Sequence, residues 1–587
     1  MNIHKKWKGI LAAVSAGMLL MACNADDFGE VKPNDEYVNL EEYYEISEIG
    51  GNQGAAVVVD GLRVGTGMKS ADSYYIPYEY VREYIDDHYY WDASQKILSY
   101  ASSKHIYDAV SGESQYTADG VTQAYDKAIV VVVDDVAYVE LGYIVLMNES
   151  IEVRTYDEPC RVVFDVEEYV MTAEITADTQ LRTGGDILNP IVTDLKKGTE
   201  VRATGDNNGW TIVRTEDGLI GSVESDKLSD ATSKQLTFAQ SWQDTEPYTY
   251  ISKDYTICLG WHQMEYEAGN DSLGSMVAGA DSLNVISPTW FKVTDEYGGI
   301  SSLASKSYVD SAHNKGLEVW GLVSDFNADE NGNYYINSVV TNTHTRRALI
   351  DNLIEEATEC GMDGINVDFE MIRLVAAEGY VQFMRELAIK CEANGLVLSV
   401  DMYVPTASNG YYDRQSVGEV ADYLIIMGYD EHWAGCGEAG SVASLPYVEN
   451  GILDTVIEVP AERVINAIPF YTRVWYEDSL ENAPEGAVVI EDAINGDYAL
   501  SSKAVGMGTA KELLEANGAS LRWLEDIGQY YGEYYTGDRL ARIWLEDKKS
   551  LVEKLNVMKA NNLAGVACWK LGLESEEAWE AISMYME

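Results

Sequence analysis

The chain has 587 residues, with 97 Asp and Glu against 41 Lys and Arg, for a formal charge of −56. That balance excludes nucleic acid as a partner, because affinity there rests on Lys and Arg neutralising phosphates. The length predicts several domains with ample chain for a large core.

Taken from the amino terminus, residues 1–23 read as a targeting segment. Lys5, Lys6 and Lys8 form a basic head, and Gly9 to Met21 form an apolar run too short for an ordinary membrane span. Leu20-Met21-Ala22-Cys23 resembles a bacterial lipobox. The resemblance implies lipidation of Cys23 and a protein tethered to the outer face of the cytoplasmic membrane. The alternative is a plain secretory signal and a secreted protein. Residues 24–54 are strongly acidic, with Lys32 as the one basic residue, and predict a solvated tether.

Residues 55–178 show short strand-like runs around one helix-like segment, among them Ala55–Val59, Ile129–Val133 and Val136–Leu141. This pattern resembles the small α+β domain related to the amino-terminal domain of copper amine oxidases. No copper is implied, and no cofactor of any kind is expected. Residues 179–229 carry Lys196-Lys197-Gly198, Gly209-Trp210 and Gly218-Leu219 at strand–turn boundaries. They resemble a bacterial Src-homology-3-like barrel. A wall-binding role and a rigid-spacer role are both open for each module. The remaining six cysteines are scattered, with no C-x-x-C pair, and predict small core hydrophobes in place of a zinc site.

From 251 to 587, apolar strand-like runs alternate with helix-like segments. The runs are Thr256–Gly260, Ser282–Ser287, Leu317–Val323, Gly364–Glu370, Val397–Tyr403, Tyr423–Tyr429, Val464–Ile468 and Gly565–Trp569. Eight such runs predict an α/β fold, a carboxy-terminal (β/α)₈ barrel with loop insertions, preceded by the small β-rich modules. A doubly wound sheet would place a glycine-rich phosphate turn after its first strand, and Gly260-Trp261-His262-Gln263 is no such turn. No metal site is expected, since neither His262 nor His432 has a His partner at helical spacing.

The densest chemistry lies in Asp363-Gly364-Ile365-Asn366-Val367-Asp368-Phe369-Glu370. It follows a helical stripe of Leu349, Ile350, Leu353, Ile354, Ala357 and Cys360, which Gly361 should terminate. On a strand, Asn366, Asp368 and Glu370 share one face, ~6.6 Å apart at each step. Such a row costs too much to be a stability device, so it belongs at the carboxyl mouth of a barrel.

The stretch resembles the active-site strand of glycoside hydrolase family 18, whose pattern is Asp-x-x-Asp-x-Asp-x-Glu. Asp363, Asp368 and Glu370 match, and Asn366 stands where the pattern usually has Asp, as in the branch resembling spore-cortex and cell-wall glucosaminidases. Met427-Gly428-Tyr429-Asp430-Glu431-His432-Trp433, Phe470-Tyr471-Thr472-Arg473 and Trp569 extend the resemblance in the correct order. It implies Glu370 as general acid and base, Asp368 orienting a substrate acetamido group and Tyr429 bonding its carbonyl. Asp363, Asn366, Asp430, Trp433, Tyr471, Arg473 and Trp569 are the implied substrate-binding residues, with Trp569 as the floor under the reacting sugar. Asn366 is expected to fix the Asp368 side chain by a hydrogen bond.

Asp368 is badly placed to attack the far face of a sugar from beside Glu370. The resemblance therefore implies substrate-assisted retaining hydrolysis, an exception to the two-carboxylate scheme. The partner is an N-acetylated polysaccharide: peptidoglycan first, chitin or its oligomers second, with a non-catalytic wall-sugar-binding protein as the alternative from another class.

Overall fold

The computed structural model describes residues 32–148, 151–238, 247–494 and 496–587. The expected targeting segment with Cys23, and residues 24–31 of the expected tether, lie outside the described residues. Two compact units divide the chain. One takes Met1–Ser47, Ala55–Val64 and Glu152–Thr237; the other takes Glu48–Gly54, Gly65–Ile151 and Phe238–Glu587. The segment 55–178 is thus shared between both units.

The first unit contains a seven-stranded antiparallel sheet. Its order is Ile191–Leu195, Thr179–Arg182, Ile220–Glu224, Trp210–Arg214, Glu200–Asn207, Tyr169–Glu174 and Thr232–Gln235. It draws its last two strands from outside the 179–229 window. Asn208 and Gly209, both at positive φ, close the tightest hairpin, a turn whose twist suits the flanking strands. Leu181, Val201, Val213 and Val223 fill the core. The carboxylate of Asp165, fully buried, is ringed by Arg154, Arg202 and Arg214, so its charge is compensated several times over.

In the second unit, five antiparallel strands from Tyr89 to Ala124 form a meander. It is fastened to the helices that follow it in the chain. Arg347 Nη1 donates to Asp108 Oδ2 at 2.7 Å, Tyr90 donates to the Thr341 carbonyl at 2.8 Å, and the Thr343 amide donates to Asp92 at 2.6 Å.

The rest of this unit is built on a closed barrel of eight parallel strands. They are β1 (Ile257–His262), β2 (Val285–Pro288), β3 (Glu318–Ser324), β4 (Gly364–Asp368), β5 (Val397–Tyr403), β6 (Tyr423–Met427), β7 (Val464–Pro469) and β8 (Gly565–Trp569). Closure runs through β8, which pairs with β7 at Ile465 and with β1 at Ile257. All eight strands coincide with the runs expected from sequence. The period-two alternation places Leu259, Trp320, Leu322, Val397 and Ile425 inside the barrel. Ile365, Val367, Leu398 and Val400 face outward under the helices. Helix α1 (Thr343–Cys360) delivers the chain to β4; Asn342 caps its start by accepting from the His344 and Thr345 amides, and Gly361 ends it at φ 73°.

Between β7 and β8 the chain departs from the expectation of simple loops. Tyr471–Asp478 is the third strand of a six-stranded antiparallel sheet. Tyr498–Gly506 and Arg539–Leu545 flank it, and the helix Met507–Ala516 covers it.

Candidate active site

Polar side chains gather where the strands end. On β4, Asn366 is fully buried and Asp368 nearly so, while Glu370, just past the strand, is half-buried at the rim. Asp325, directly after β3, clamps this tip: its two carboxylate oxygens accept from the Glu370 amide at 3.0 Å and the Met371 amide at 2.9 Å. From β5, the Tyr403 hydroxyl donates to Glu370 Oε2 at 2.5 Å. Asp430, beyond β6, sits in the left-handed region at φ 58° and accepts from the Tyr471 hydroxyl at 2.5 Å.

Crowding of carboxyls in a partly dry mouth raises their proton affinities. Burial, followed by the charges of Glu370, Asp401 and Asp325, holds Asp368 well above the usual carboxylate range. Glu370 is likewise raised, by burial and by Asp430, and the Tyr403 hydrogen bond pulls in the opposite direction. Burial pushes Asp325 up to about 7 against its two amide donors. The phenol of Tyr429 is kept neutral by burial and by the acids around it. A carboxyl whose proton affinity is raised beside other carboxyls is better equipped to donate a proton to a leaving oxygen.

Residues 297–574, less than half of the chain, match the family model Glycosyl hydrolases family 18. Over these residues the chain is similar to that family. The barrel extends beyond the match at its start, since β1 and β2 precede residue 297. The chain is 26% identical over 263 residues to the cortical fragment-lytic enzyme of Bacillus subtilis, covering 44% of this chain and 56% of that protein. It is 25% identical over 300 residues to the uncharacterized glycosylase YvbX of the same organism, covering 49% and 80% respectively. The chain therefore spans only about half the length of the first of these relatives. Among solved structures, a chitinase of Chromobacterium violaceum ATCC 12472 is 23% identical with a TM-score of 0.48, covering 56% of this chain and 99% of that one.

Within the barrel and the sheet inserted in it, most residues singled out from sequence come together and some do not. Asp368, Glu370, Tyr429, Asp430 and Tyr471 converge at the carboxyl mouth, the rings of Tyr429 and Tyr471 lying 6.2 Å apart. Trp569 ends β8 with its ring 5.7 Å from that of Trp261, and the peptide following it is cis. Arg473, one alternate step along from Tyr471, donates to Ser502 Oγ at 2.9 Å. Trp433 lies on the rim, 54% exposed.

Asp363 belongs elsewhere. It precedes β4, at the amino end of the barrel, where Oδ2 accepts from the Val319 amide and from His313, both at 2.8 Å. Five residue steps along the strand separate it from Asp368, ~16 Å, so it pins the strand's start and does not reach the site. Asn366 also differs from expectation. Its amide group donates to Asp401, at 2.9 Å, and not to Asp368. His262, with its proton affinity lowered to about 4 by burial, bonds Tyr308 and Ser272, and His432 bonds the Ser441 carbonyl.

Sequence reasoning missed Asp325, Asp401 and Tyr403. The signal for the last two was present: Ser399, Asp401 and Tyr403 repeat on the fifth run the polar alternation of Asn366, Asp368 and Glu370 on the fourth.

Proposed function

We propose that the family 18-like barrel hydrolyses β-1,4 bonds on the reducing side of N-acetylglucosamine in peptidoglycan, by substrate-assisted retaining catalysis. The observation that carries this reading is Glu370 at the rim, with raised proton affinity and a Tyr403 donor on one oxygen, one strand step above buried Asp368. Glu370 would protonate the leaving oxygen. The 2-acetamido oxygen of the substrate would close on the anomeric carbon, with Asp368 orienting the acetamido N–H and Tyr429 bonding its carbonyl. Water, deprotonated by Glu370, would then open the ring-closed intermediate. Asp430, Tyr471 and Arg473 would grip sugar hydroxyls, and Trp569 would stack under the sugar.

Support for a wall substrate comes from the name borne by the cortical fragment-lytic relative and from the modules that precede the barrel. With a charge of −56, the protein repels anionic polymers at long range. Binding would therefore rest on stacking and hydrogen bonds, which the rim aromatics can supply. The readings of residues 55–178 and 179–229 as copper-amine-oxidase-like and Src-homology-3-like modules belong to the same proposal. So does lipid anchorage through Cys23, which would hold the enzyme at the outer membrane face beside its substrate. Cys23→Ser should shift the protein from the detergent to the aqueous phase.

Digestion of muropeptides, borohydride reduction and mass spectrometry test the reading. Reducing-end N-acetylglucosamine is expected from the wild type and none from Glu370→Gln. Reducing-end muramic acid would assign the opposite linkage. Release from chitin oligomers but not from muropeptides would move the substrate to chitin. Equal cleavage of de-N-acetylated sugars would overturn substrate assistance.

A further inference from the structure

The amide of Asn366 is fixed from three sides. Its Oδ1 accepts from Trp261 Nε1 at 2.9 Å and from Ser287 Oγ at 3.2 Å, so its Nδ2 must point the other way, and there it donates to Asp401 Oδ1 at 2.9 Å. The indole N–H of Trp261 can only donate, so the atom facing it must be the Asn366 oxygen, and this orientation is locked. An N–H aimed at a carboxyl favours its charged form. Asn366 thus serves Asp401, a carboxyl on the neighbouring strand that has no place in the sequence motif.

The strand register says what Asp401 stands beside. β4 and β5 pair with Asn366 opposite Ser399 and Val367 opposite Val400. One further residue sets Asp368 opposite Asp401, and two more set Glu370 opposite Tyr403, whose hydroxyl indeed reaches Glu370. Neighbouring strands lie ~4.8 Å apart, and register partners in a parallel pair face the same way. Asp368 and Asp401 are therefore lateral neighbours pointing into the barrel, 7% and 4% exposed.

We propose that Asp401 is a positioning residue that shares one proton with Asp368 and so sets the charge Asp368 presents to the substrate's acetamido group. This rests on the hydrolytic reading above. Two carboxyls so close and so nearly dry cannot both ionise, so the pair holds one proton and one negative charge. With Asn366 favouring the anion on Asp401, the proton rests on Asp368 in the free enzyme. When positive charge develops on the closing acetamido ring, that proton can pass to Asp401. The negative charge then moves to Asp368, next to the cation, and the pair's total is unchanged. The other titratable groups around the pair are Glu370 on β4, Asp325 from β3, Tyr403 from β5, Tyr429 and Asp430 from β6, and Tyr380 from the covering helix. All are acids or phenols, so none of them relieves the pair as a countercharge.

The test compares wild type, Asp401→Asn, Asn366→Asp and the double exchange Asn366→Asp/Asp401→Asn. Two readouts are taken: the pH dependence of kcat and KM on an N-acetylglucosamine oligomer, and thermal unfolding from pH 4 to pH 8. Asp401→Asn keeps shape and can still accept from Asn366, so a purely structural role predicts no change in either readout. Proton sharing predicts that kcat falls by about tenfold or more with KM little changed, and that the pH profile shifts by about one unit. The double exchange, which returns a carboxyl to the side of Asp368, should recover most of the loss.

In unfolding, a pair with raised proton affinity stabilises the fold at low pH and loses that contribution as pH rises. Asp401→Asn should therefore match the wild type at pH 4 and melt higher at pH 8. If Asp401→Asn superimposes on the wild type in both readouts while the wild type hydrolyses sugar, proton sharing is overturned and the glycosidase reading stands. If no protein releases sugar but the unfolding curves separate as described, the charge pair stands and the glycosidase reading fails.

Discussion

Tyr403→Phe isolates one interaction with Glu370 and leaves the surrounding packing in place. The ring of Tyr403 rests edge-on against that of Tyr412, with centroids 6.0 Å apart, and phenylalanine keeps that contact. What disappears is the hydroxyl that donates to Glu370 Oε2 at 2.5 Å. A hydrogen bond to an ionised group contributes ~1.5–3 kcal/mol. Tyr403 is 36% exposed, so solvent competes for the bond and the lower end, ~1.5 kcal/mol, is the appropriate figure. At 1.36 kcal/mol per pH unit this is a shift of about one unit.

The sign follows from which form of Glu370 the hydroxyl favours. Tyr403 stabilises the carboxylate, so its loss raises the proton affinity of Glu370 further. Protonated Glu370 is the form needed to start hydrolysis. The alkaline limb of kcat/KM should therefore move up by about one pH unit in Tyr403→Phe. Initial rates on a chromogenic N-acetylglucosamine oligomer between pH 4 and pH 9 would show it. A limb that stays in place, or moves down, would refute the assignment of Glu370 as the proton donor modulated by Tyr403.

Asp325→Ala removes the acceptor for the Glu370 and Met371 amides, and leaving two such donors unpaired costs ~1–3 kcal/mol each. Steady-state kinetics should show kcat down by tenfold or more, with the melting temperature lowered by several degrees and a wild-type near-ultraviolet circular dichroism spectrum at the assay temperature excluding global damage. Away from the site, Glu386 is fully buried; burial would raise its proton affinity, but Arg346 and Arg347 hold it down to about 2. Its stabilising contribution is complete above the ordinary carboxylate range and is lost as pH falls from ~4.5 toward ~2. Arg346→Met should cost ~3–5 kcal/mol in urea unfolding at pH 7 and less at pH 3. At barrel closure, a methyl on Gly565 would lie 2.1 Å from the Ile257 carbonyl oxygen, a backbone atom that cannot step aside. Gly565→Ala should lower the urea midpoint by the equivalent of ~1–3 kcal/mol or prevent folding. Wild-type stability in that variant would mean β1 and β8 are less tightly joined than the register shows.

What sequence reveals and what it hides follows from the direction in which each interaction runs. Along a strand, period two is visible in the letters. The outward facing of Ile365 and Val367 and the inward facing of Asn366, Asp368 and Glu370 are therefore legible in the sequence, as are the eight strands. Gly361 is legible as a helix stop for the same local reason. The insertion after β7 is not. Strands such as Tyr498–Gly506, which carries Ser501, Ser502 and Lys503 in succession, show no clean alternation, because the buried residues Ala499 and Leu500 are consecutive and the rest of the strand is half-buried or exposed on both faces. The place of Asp363 is hidden because a linear motif shows that residues recur together and not that they meet; the ~16 Å length of β4 puts it at the other end of the barrel.

The interactions that give the mouth its character run across strands and not along them. Asn366 meets Asp401 from β5, Glu370 meets Tyr403 from β5 and Asp325 from β3, and Asp430 meets Tyr471 from the inserted sheet. None of these pairs is closer than 33 residues in the chain, and each depends on how separate strands and loops are brought together in the fold. The same geometry explains how an amide can occupy position 366 while the mouth keeps its charge. Moving a carboxyl from one strand to its lateral neighbour leaves it next to Asp368, because neighbouring strands are nearer (~4.8 Å) than alternate residues on one strand (~6.6 Å). A substitution that looks like a loss when β4 is read alone is therefore matched by a carboxyl on β5, and the unit to compare between such barrels is the ring of inward side chains at one height.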